Sequence, residues 1–152
     1  TLDLTSAYFV PRPAFLQALV DAAERGVAIR ILVPGSHIDK GIVRTAGRSV
    51  YDRLLGVGVE LYEYEPTMLH AKTLTVDGAW ACVGSVNFDN RSFQLHDEAS
   101  LSVQDERFAA DLTEQFERDI ASAERIEPEA WAERGVRRRA GEAVSRLARR
   151  EL

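Results

Sequence analysis

Residues 70–87 constrain the fold of this chain more than any other stretch. They begin with His70, continue through β-branched and apolar residues to the turn dipeptide Asp77-Gly78, and return through the apolar run 79–83. Two such runs around an Asp-Gly pair predict a β-hairpin. Since strand side chains alternate between faces, His70 and Lys72 are expected to project from the same face.

Polar side chains are expected to gather at the open end of this hairpin. Ser85 and Asn87, again two residues apart, return beside the strand end that carries His70 and Lys72. An ammonium, a hydroxyl and an amide supply donors around a tetrahedral anion, and an imidazole can attack or protonate. The pattern therefore predicts phosphoryl transfer. No cluster of His, Asp or Cys has metal-ligand spacing, so we expect no metal and no other cofactor.

The spacing HxKxxxxD with a trailing GSxN resembles the signature of the phospholipase D superfamily. Six positions match it: His70, Lys72, Asp77, Gly84, Ser85 and Asn87. The flanking segments 7–11, 58–64 and 88–93 resemble the cardiolipin synthase branch, and the likeness covers roughly residues 5–133. It implies that the catalytic residues are His70, Lys72, Asp77 and Glu98, and that the residues binding the substrate phosphate are Lys72, Ser85 and Asn87.

Simpler roles compete with some of these assignments. Asp77 precedes Gly78 and is equally suited to a turn. Gly84 either lets backbone approach a phosphate or relieves crowding. Glu98 falls where the family has an acidic residue that hydrogen-bonds the reactive histidine, which would set its tautomer. His96 and the loop residue His37 are better explained as ordinary histidines than as further site residues.

The resemblance implies a two-step displacement that needs two facing motifs. One histidine attacks phosphorus to form a phosphohistidine, and a second protonates the leaving alkoxide. This chain has a single HxK, so it is either the C-terminal half of a two-motif enzyme or a subunit of a symmetric dimer. We favour the first, in which His70 acts as general acid and two phosphatidylglycerols become cardiolipin and glycerol. The alternatives are a dimeric phosphodiesterase or nuclease and a non-catalytic lipid-binding domain.

Alternating strand and helix patterns predict the α/β class, with a mixed, largely parallel β-sheet flanked by helices. Strands are expected over residues 2–10, 27–33, 59–64 and 95–103, besides the hairpin. Helices are expected over residues 14–25, 39–55 and 105–123, the last capped by Asp105. Of 152 residues 45% are hydrophobic, which suits one globular domain. The chain opens at Thr1 almost directly with a strand, so we expect it to be a piece of a longer protein.

The last residues differ in composition from the rest. Residues 134–152 hold seven Arg against two Glu, a balance of +5, which leaves residues 1–133 at −10 from the total of −5. We therefore divide the chain into a phospholipase D-like domain, 1–133, and a basic helical tail, 134–152, which either lies on anionic lipid or is solvated. The acidic body disfavours nucleic acid. The resemblance implies association of the parent protein with a bacterial inner membrane, whereas this chain has no apolar run long enough to span one and is itself expected to be soluble.

Overall fold

The structure is a computed structural model that describes residues 1–38, 41–87 and 97–133. Its strands are β1 (Leu2–Ser6), β2 (Ile29–Pro34), β3 (Glu60–Tyr64), β4 (Lys72–Val76), β5 (Trp80–Gly84), β6 (Ser100–Gln104) and β7 (Ala123–Arg125). Its helices are α1 (Pro13–Glu24), α2 (Gly41–Arg48), α3 (Tyr51–Leu55), α4 (Glu106–Ile120) and α5 (Pro128–Ala132).

The seven strands form one sheet in the order β6-β5-β4-β1-β2-β3-β7. Strand β1 pairs in parallel with β2, and β2 with β3, whereas the remaining four neighbour pairs are antiparallel. The predicted mixed α/β class is confirmed. Among the described strands, parallel pairing is confined to β1, β2 and β3. Helical crossovers join β1 to β2 and β2 to β3, whereas the antiparallel strands β4 and β5 are joined by a tight turn.

Helices cover both faces of the sheet. On one face, Leu4, Ile31 and Leu61 stand side by side across β1, β2 and β3, within a core that α1, α3 and α5 complete. On the other face, Phe116 of α4 packs with Leu32 and Leu69. Leu69 directly precedes His70, so the polar end of the hairpin is anchored in the core.

Several boundaries differ from the predicted ones. The helix expected over 39–55 is two helices, because the chain breaks after α2, where the Ser49 hydroxyl donates to the Ala46 carbonyl at 2.6 Å; residues 39–40 lie outside the described residues. The strand expected over 95–103 begins at Ser100, and its residues 95–96 also lie outside them. The predicted cap of α4 by Asp105 is confirmed, because the Asp105 carboxylate accepts a hydrogen bond from the Phe108 N–H at 2.8 Å.

Two short elements were not predicted. Strand β7 adds to the edge of β3, and α5 packs its Trp131 against Tyr51, with ring centroids 5.1 Å apart. Both elements are too short to show a periodic pattern of hydrophobic residues in the sequence. The basic tail, 134–152, and His96 lie outside the described residues, so the domain boundary at 133 stays a prediction. Within the described ranges, no helix combines the length and apolarity that crossing a membrane requires.

Candidate active site

Lys72 and His70 stand at the carboxyl end of β1, where the sheet changes from parallel to antiparallel pairing. Lys72 begins β4 and lies opposite Ser6, the last residue of β1. The same register continued by two residues places His70 opposite Tyr8. Ligands of α/β sheets commonly bind outside the carboxyl ends of the parallel strands.

The two side chains contact each other directly. Lys72 Nζ lies 3.2 Å from His70 Nδ1 and 3.4 Å from Nε2, and it donates to the His70 carbonyl oxygen at 3.0 Å. Donation to a ring nitrogen requires that nitrogen to be unprotonated, so the contact depends on the tautomer. His70 is exposed and Lys72 half-buried. The structure thus brings together an accessible imidazole and a held ammonium, as the sequence predicted.

Gly84 brings the next two strands close together beside this pair. It ends β5 and pairs with Ser100 of β6, and a Cβ at this position would lie 2.4 Å from the Ala99 carbonyl oxygen. This close approach supports one of the two roles considered for Gly84, the relief of crowding. The close approach of β5 to β6 determines where the following residues lie.

Ser85 holds the segment that carries Glu98. Its Oγ accepts from the Ala99 N–H at 3.1 Å and donates to the Ala99 carbonyl at 3.4 Å, and its own N–H bonds the same carbonyl at 2.9 Å. Continuing the β4–β5 and β5–β6 registers places His70, Val86 and Glu98 in one row, about 10 Å from end to end. Glu98 is half-buried, and its hydrogen bond to His70 stays a prediction.

Asn87 completes the polar surroundings of the hairpin end. Its side chain is 8% exposed, and its Oδ1 has no hydrogen-bond partner among the described residues. A buried amide group without a partner is costly in a folded protein and is often found where a ligand binds. This fits the predicted contact with phosphate, in which the amide would be turned to present its N–H₂.

Asp77 lies at the other end of β4, in the turn that leads into β5. Its φ is +52°, and its backbone N–H donates to the Thr1 carbonyl at 3.1 Å. About 16 Å of strand separates it from Lys72. The structure therefore does not bring Asp77 to the other predicted catalytic residues, and its surroundings are those of a turn residue.

A second polar group lies on the same edge of the sheet, after β2 and β3. Ser36 donates through its hydroxyl at 2.5 Å and its N–H at 3.1 Å to the Glu65 carboxylate. The hydroxyl hydrogen bond is the main reason that the pKa of Glu65 lies below its ordinary value. His37 Nδ1 lies 3.4 Å from the Ser36 hydroxyl, on an exposed loop as expected.

Buried charge lies behind the site. Glu63 is 1% exposed and contacts Arg44 at 2.5 Å and Arg48 at 3.2 Å. Tyr51 donates to the same carboxylate at 3.2 Å, and burial raises the pKa of its hydroxyl. Burial, helped by its hydrogen bond to Glu60, also raises the pKa of Tyr62 to about 12.

The described residues contain no cluster of metal ligands and one small cleft beneath α2. Within the described ranges, no three His, Cys, Asp or Glu side chains gather as metal ligands. A cleft beneath α2, lined by residues such as Phe9, Val43 and Arg44, offers about 10 Å³, roughly the space of one water molecule. A cleft of that size does not admit a phosphodiester.

Sequence reasoning missed one residue beside the site. The ring of Tyr8 meets the His70 ring with centroids 6.2 Å apart and planes at 84°. The sequence singled out this tyrosine only as part of the flank 7–11. Its contact with His70 depends on pairing between strands more than 60 residues apart, for which the local pattern has no signal.

Comparison with known proteins finds a matching family and several similar proteins. The family described as "Cardiolipin synthase, PLD-like domain" matches residues 1–120. Cardiolipin synthase A of Erwinia tasmaniensis is 41% identical over 133 residues, covering 88% of this chain and 27% of that protein. Cardiolipin synthase A of Yersinia pestis is 40% identical with the same coverage. The chain thus spans about a quarter of the length of these relatives.

Solved structures share the fold at lower identity. Nuc of Salmonella typhimurium, a phospholipase D family member, superimposes with a TM-score of 0.73 at 20% identity, over 83% of this chain and 81% of Nuc. The phosphatidylserine synthase of Haemophilus influenzae superimposes with a TM-score of 0.66 at 17% identity, over 96% of this chain and 41% of that enzyme. Both show the same arrangement of strands and helices.

Proposed function

The chain belongs to the phospholipase D-like domain family of cardiolipin synthases, and from this premise we propose that it is one catalytic half of a phosphatidyltransferase. The contact between an exposed His70 and the Lys72 ammonium carries the proposal. The substrate class is phosphatidylglycerol, as in the cardiolipin synthase branch that the sequence resembles. The products are cardiolipin and glycerol.

His70 acts as the general acid and base of the reaction. A histidine from a second motif attacks phosphorus, forming an N–P bond while the P–O bond to the leaving glycerol breaks. His70 donates its proton to that glycerol oxygen, then takes the proton of the incoming hydroxyl, whose oxygen displaces the histidine from phosphorus. Glu98 orients the His70 ring by accepting from its other nitrogen.

Lys72 and Asn87 bind the non-bridging oxygens of the phosphate. Their positive charge and N–H donors are held in place before the reaction, so they stabilise the charge that develops on these oxygens in the transition state. Ser85 supports the site through its hydrogen bonds to Ala99, and a direct bond from Ser85 to phosphate stays a prediction. Asp77 has no geometric support as a catalyst.

The second motif comes from an upstream half or from a second copy of this chain. To decide, the initial rate on bis(4-nitrophenyl) phosphate is measured against protein concentration, in EDTA, with His70→Ala as the control. An activity per molecule that rises with concentration, and that disappears in the control, identifies a dimeric phosphodiesterase. A folded chain without turnover supports the half-enzyme. Activity retained in His70→Ala contradicts the catalytic assignment.

Anion binding is tested separately from turnover. We expect Lys72→Gln to weaken the binding of orthovanadate, a phosphate analogue, at least tenfold, because it removes the charge nearest His70. The readout is calorimetric titration, and Arg118→Gln, which removes an exposed positive charge on α4, is the control for the loss of charge elsewhere. Equal affinities in the wild type and Lys72→Gln would contradict the proposed phosphate site.

The basic tail is proposed to contact anionic lipid. Its surplus of +5 over residues 134–152 would attract phosphatidylglycerol, at about 1 kcal/mol for each arginine close to the surface. Deleting these residues should lower binding to phosphatidylglycerol vesicles in 50 mM salt and leave the circular dichroism of the domain intact. Vesicle binding that is unchanged by the deletion would contradict the proposed contact of the tail with anionic lipid. If the tail instead carries salt-dependent DNA binding, the nuclease alternative gains support.

A further inference from the structure

We propose that Tyr8 is a positioning residue that sets the orientation of the His70 imidazole. The inference rests on the proposed role of His70 in catalysis and adds a residue to it from outside the HxK and GSxN segments. Tyr8 lies at the end of β1, on the far side of His70 from β5. Its proposed role depends on its aromatic ring and includes no contact with the substrate.

The geometry of the two rings restricts how the imidazole can turn. Their centroids are 6.2 Å apart and their planes stand at 84°, so the edge of one ring meets the face of the other, a preferred arrangement of aromatic pairs. Lys72 Nζ contacts both ring nitrogens of His70 within 3.4 Å. The imidazole therefore lies between the Tyr8 ring, which follows β1, and the Lys72 ammonium at the start of β4.

Tyr8 is itself held firmly enough to serve as a support. The Ser6 hydroxyl donates to the Tyr8 carbonyl at 2.8 Å, which stabilises the bend where the chain leaves β1. The tyrosine side chain packs against the buried Val10, Val43 and Ala46. Helix α2, through the last two of these residues, thus supports Tyr8, and Tyr8 supports His70.

Orientation matters because the imidazole must direct one nitrogen to the leaving oxygen. General acid catalysis requires the donor nitrogen within about 3 Å of that oxygen, and a misplacement of about 1 Å in an active site can cost on the order of a hundredfold in rate. An exposed histidine without a lateral contact would sample several ring orientations. A neighbouring ring that excludes some of these orientations raises the fraction of molecules in which the His70 imidazole faces the leaving oxygen.

The test compares Tyr8→Phe, which keeps the ring, with Tyr8→Leu, which removes it. Phe15→Leu, a loss of another partly buried aromatic ring packed on the core, is the matched control for general destabilisation. We expect kcat on bis(4-nitrophenyl) phosphate to fall about tenfold in Tyr8→Leu with KM changed less than twofold, and to stay within twofold in Tyr8→Phe and Phe15→Leu.

A second measurement does not depend on turnover. In the wild-type chain, proton NMR should show cross-relaxation between the Tyr8 ring protons and Hδ2 or Hε1 of His70, and Tyr8→Phe should retain it. Its absence in the folded wild type would overturn the proposal, even if Tyr8→Leu fails to fold or the chain does not turn over. Unchanged kcat in Tyr8→Leu, or an equal loss in Tyr8→Phe, would also overturn it.

Discussion

His70, Lys72 and Asp77 belong to one sequence motif, yet the structure divides them between the two ends of β4. The first two meet at the open end of the hairpin, with Lys72 Nζ 3.2 Å from His70 Nδ1. Asp77 adopts a left-handed backbone conformation in the tight turn, which Asp tolerates better than most residues. Residues that share a motif can therefore serve chemistry and folding separately.

Glu65 provides a residue-scale prediction with a definite pH dependence. Its pKa is lowered in the folded state, chiefly by the hydrogen bond from Ser36. The resulting stabilisation is complete above the ordinary pKa of 4.5 and is lost as the pH falls below it, through the lowered folded-state value. Ser36→Ala should therefore reduce the free energy of unfolding by about 0.5 kcal/mol at pH 7, because partial exposure weakens the bond.

The measurement for Ser36→Ala is urea unfolding at pH 7 and at pH 3. The difference between the variant and the wild type should shrink from pH 7 toward pH 3, as the pH falls below the ordinary pKa of Glu65 and through its lowered folded-state pKa. Ser102→Ala, a change at an exposed serine of β6, is the control and should show no pH-dependent difference. A Ser36→Ala deficit that grows toward pH 3 would contradict the assignment.

At the scale of elements, α2 is seated directly on the chain that follows β1. A Cβ on Gly47 would lie 2.5 Å from the Phe9 carbonyl oxygen, so only glycine allows this approach. The contact matters for the site because Phe9 adjoins Tyr8, and Tyr8 contacts His70. Helix α2 therefore influences the site without supplying a residue to it.

Gly47→Ala should destabilise the domain by about 1–3 kcal/mol, since backbone must move to admit the methyl group. Gly41→Ala on the same helix is the matched control: a Cβ there meets nothing within 4 Å, and the higher helix propensity of Ala should leave stability equal or slightly raised. Urea unfolding of both variants checks this. Equal stabilities of the two variants would show that α2 can shift without cost.

For the molecule as a whole, the buried Glu63 joins elements that are distant in sequence. It receives Arg44 and Arg48 from α2 and the Tyr51 hydroxyl from α3, while Arg48 also lies over the ring of Trp131. The cluster thus connects α2, α3 and α5 to strand β3. One carboxylate faces two guanidinium groups there, and the Glu65 carboxylate lies 3.9 Å from Arg44.

Glu63→Gln should reduce the free energy of unfolding by about 3–5 kcal/mol, because it leaves the Arg44 and Arg48 charges without their buried partner. Glu124→Gln, on the exposed strand position that pairs with Glu63 in register, should change stability by less than about 0.5 kcal/mol. Thermal and urea unfolding measure both. A small effect of Glu63→Gln would mean that water enters the cluster and screens it.

The sequence by itself determined the hairpin, the α/β class and the family. Turn residues, the alternation of strand and helix patterns, and motif spacing can each be recognised in the sequence without knowledge of the tertiary contacts. Only the tertiary structure decided that Asp77 lies apart from His70, that Ser85 bonds the segment carrying Glu98, and that Tyr8 meets the imidazole. It also decided how far parallel pairing extends and that β7 joins β3. These features depend on contacts between segments that are distant in sequence, as far as 62 residues for Tyr8 and His70, and the choice of those contacts follows from the packing of the whole core.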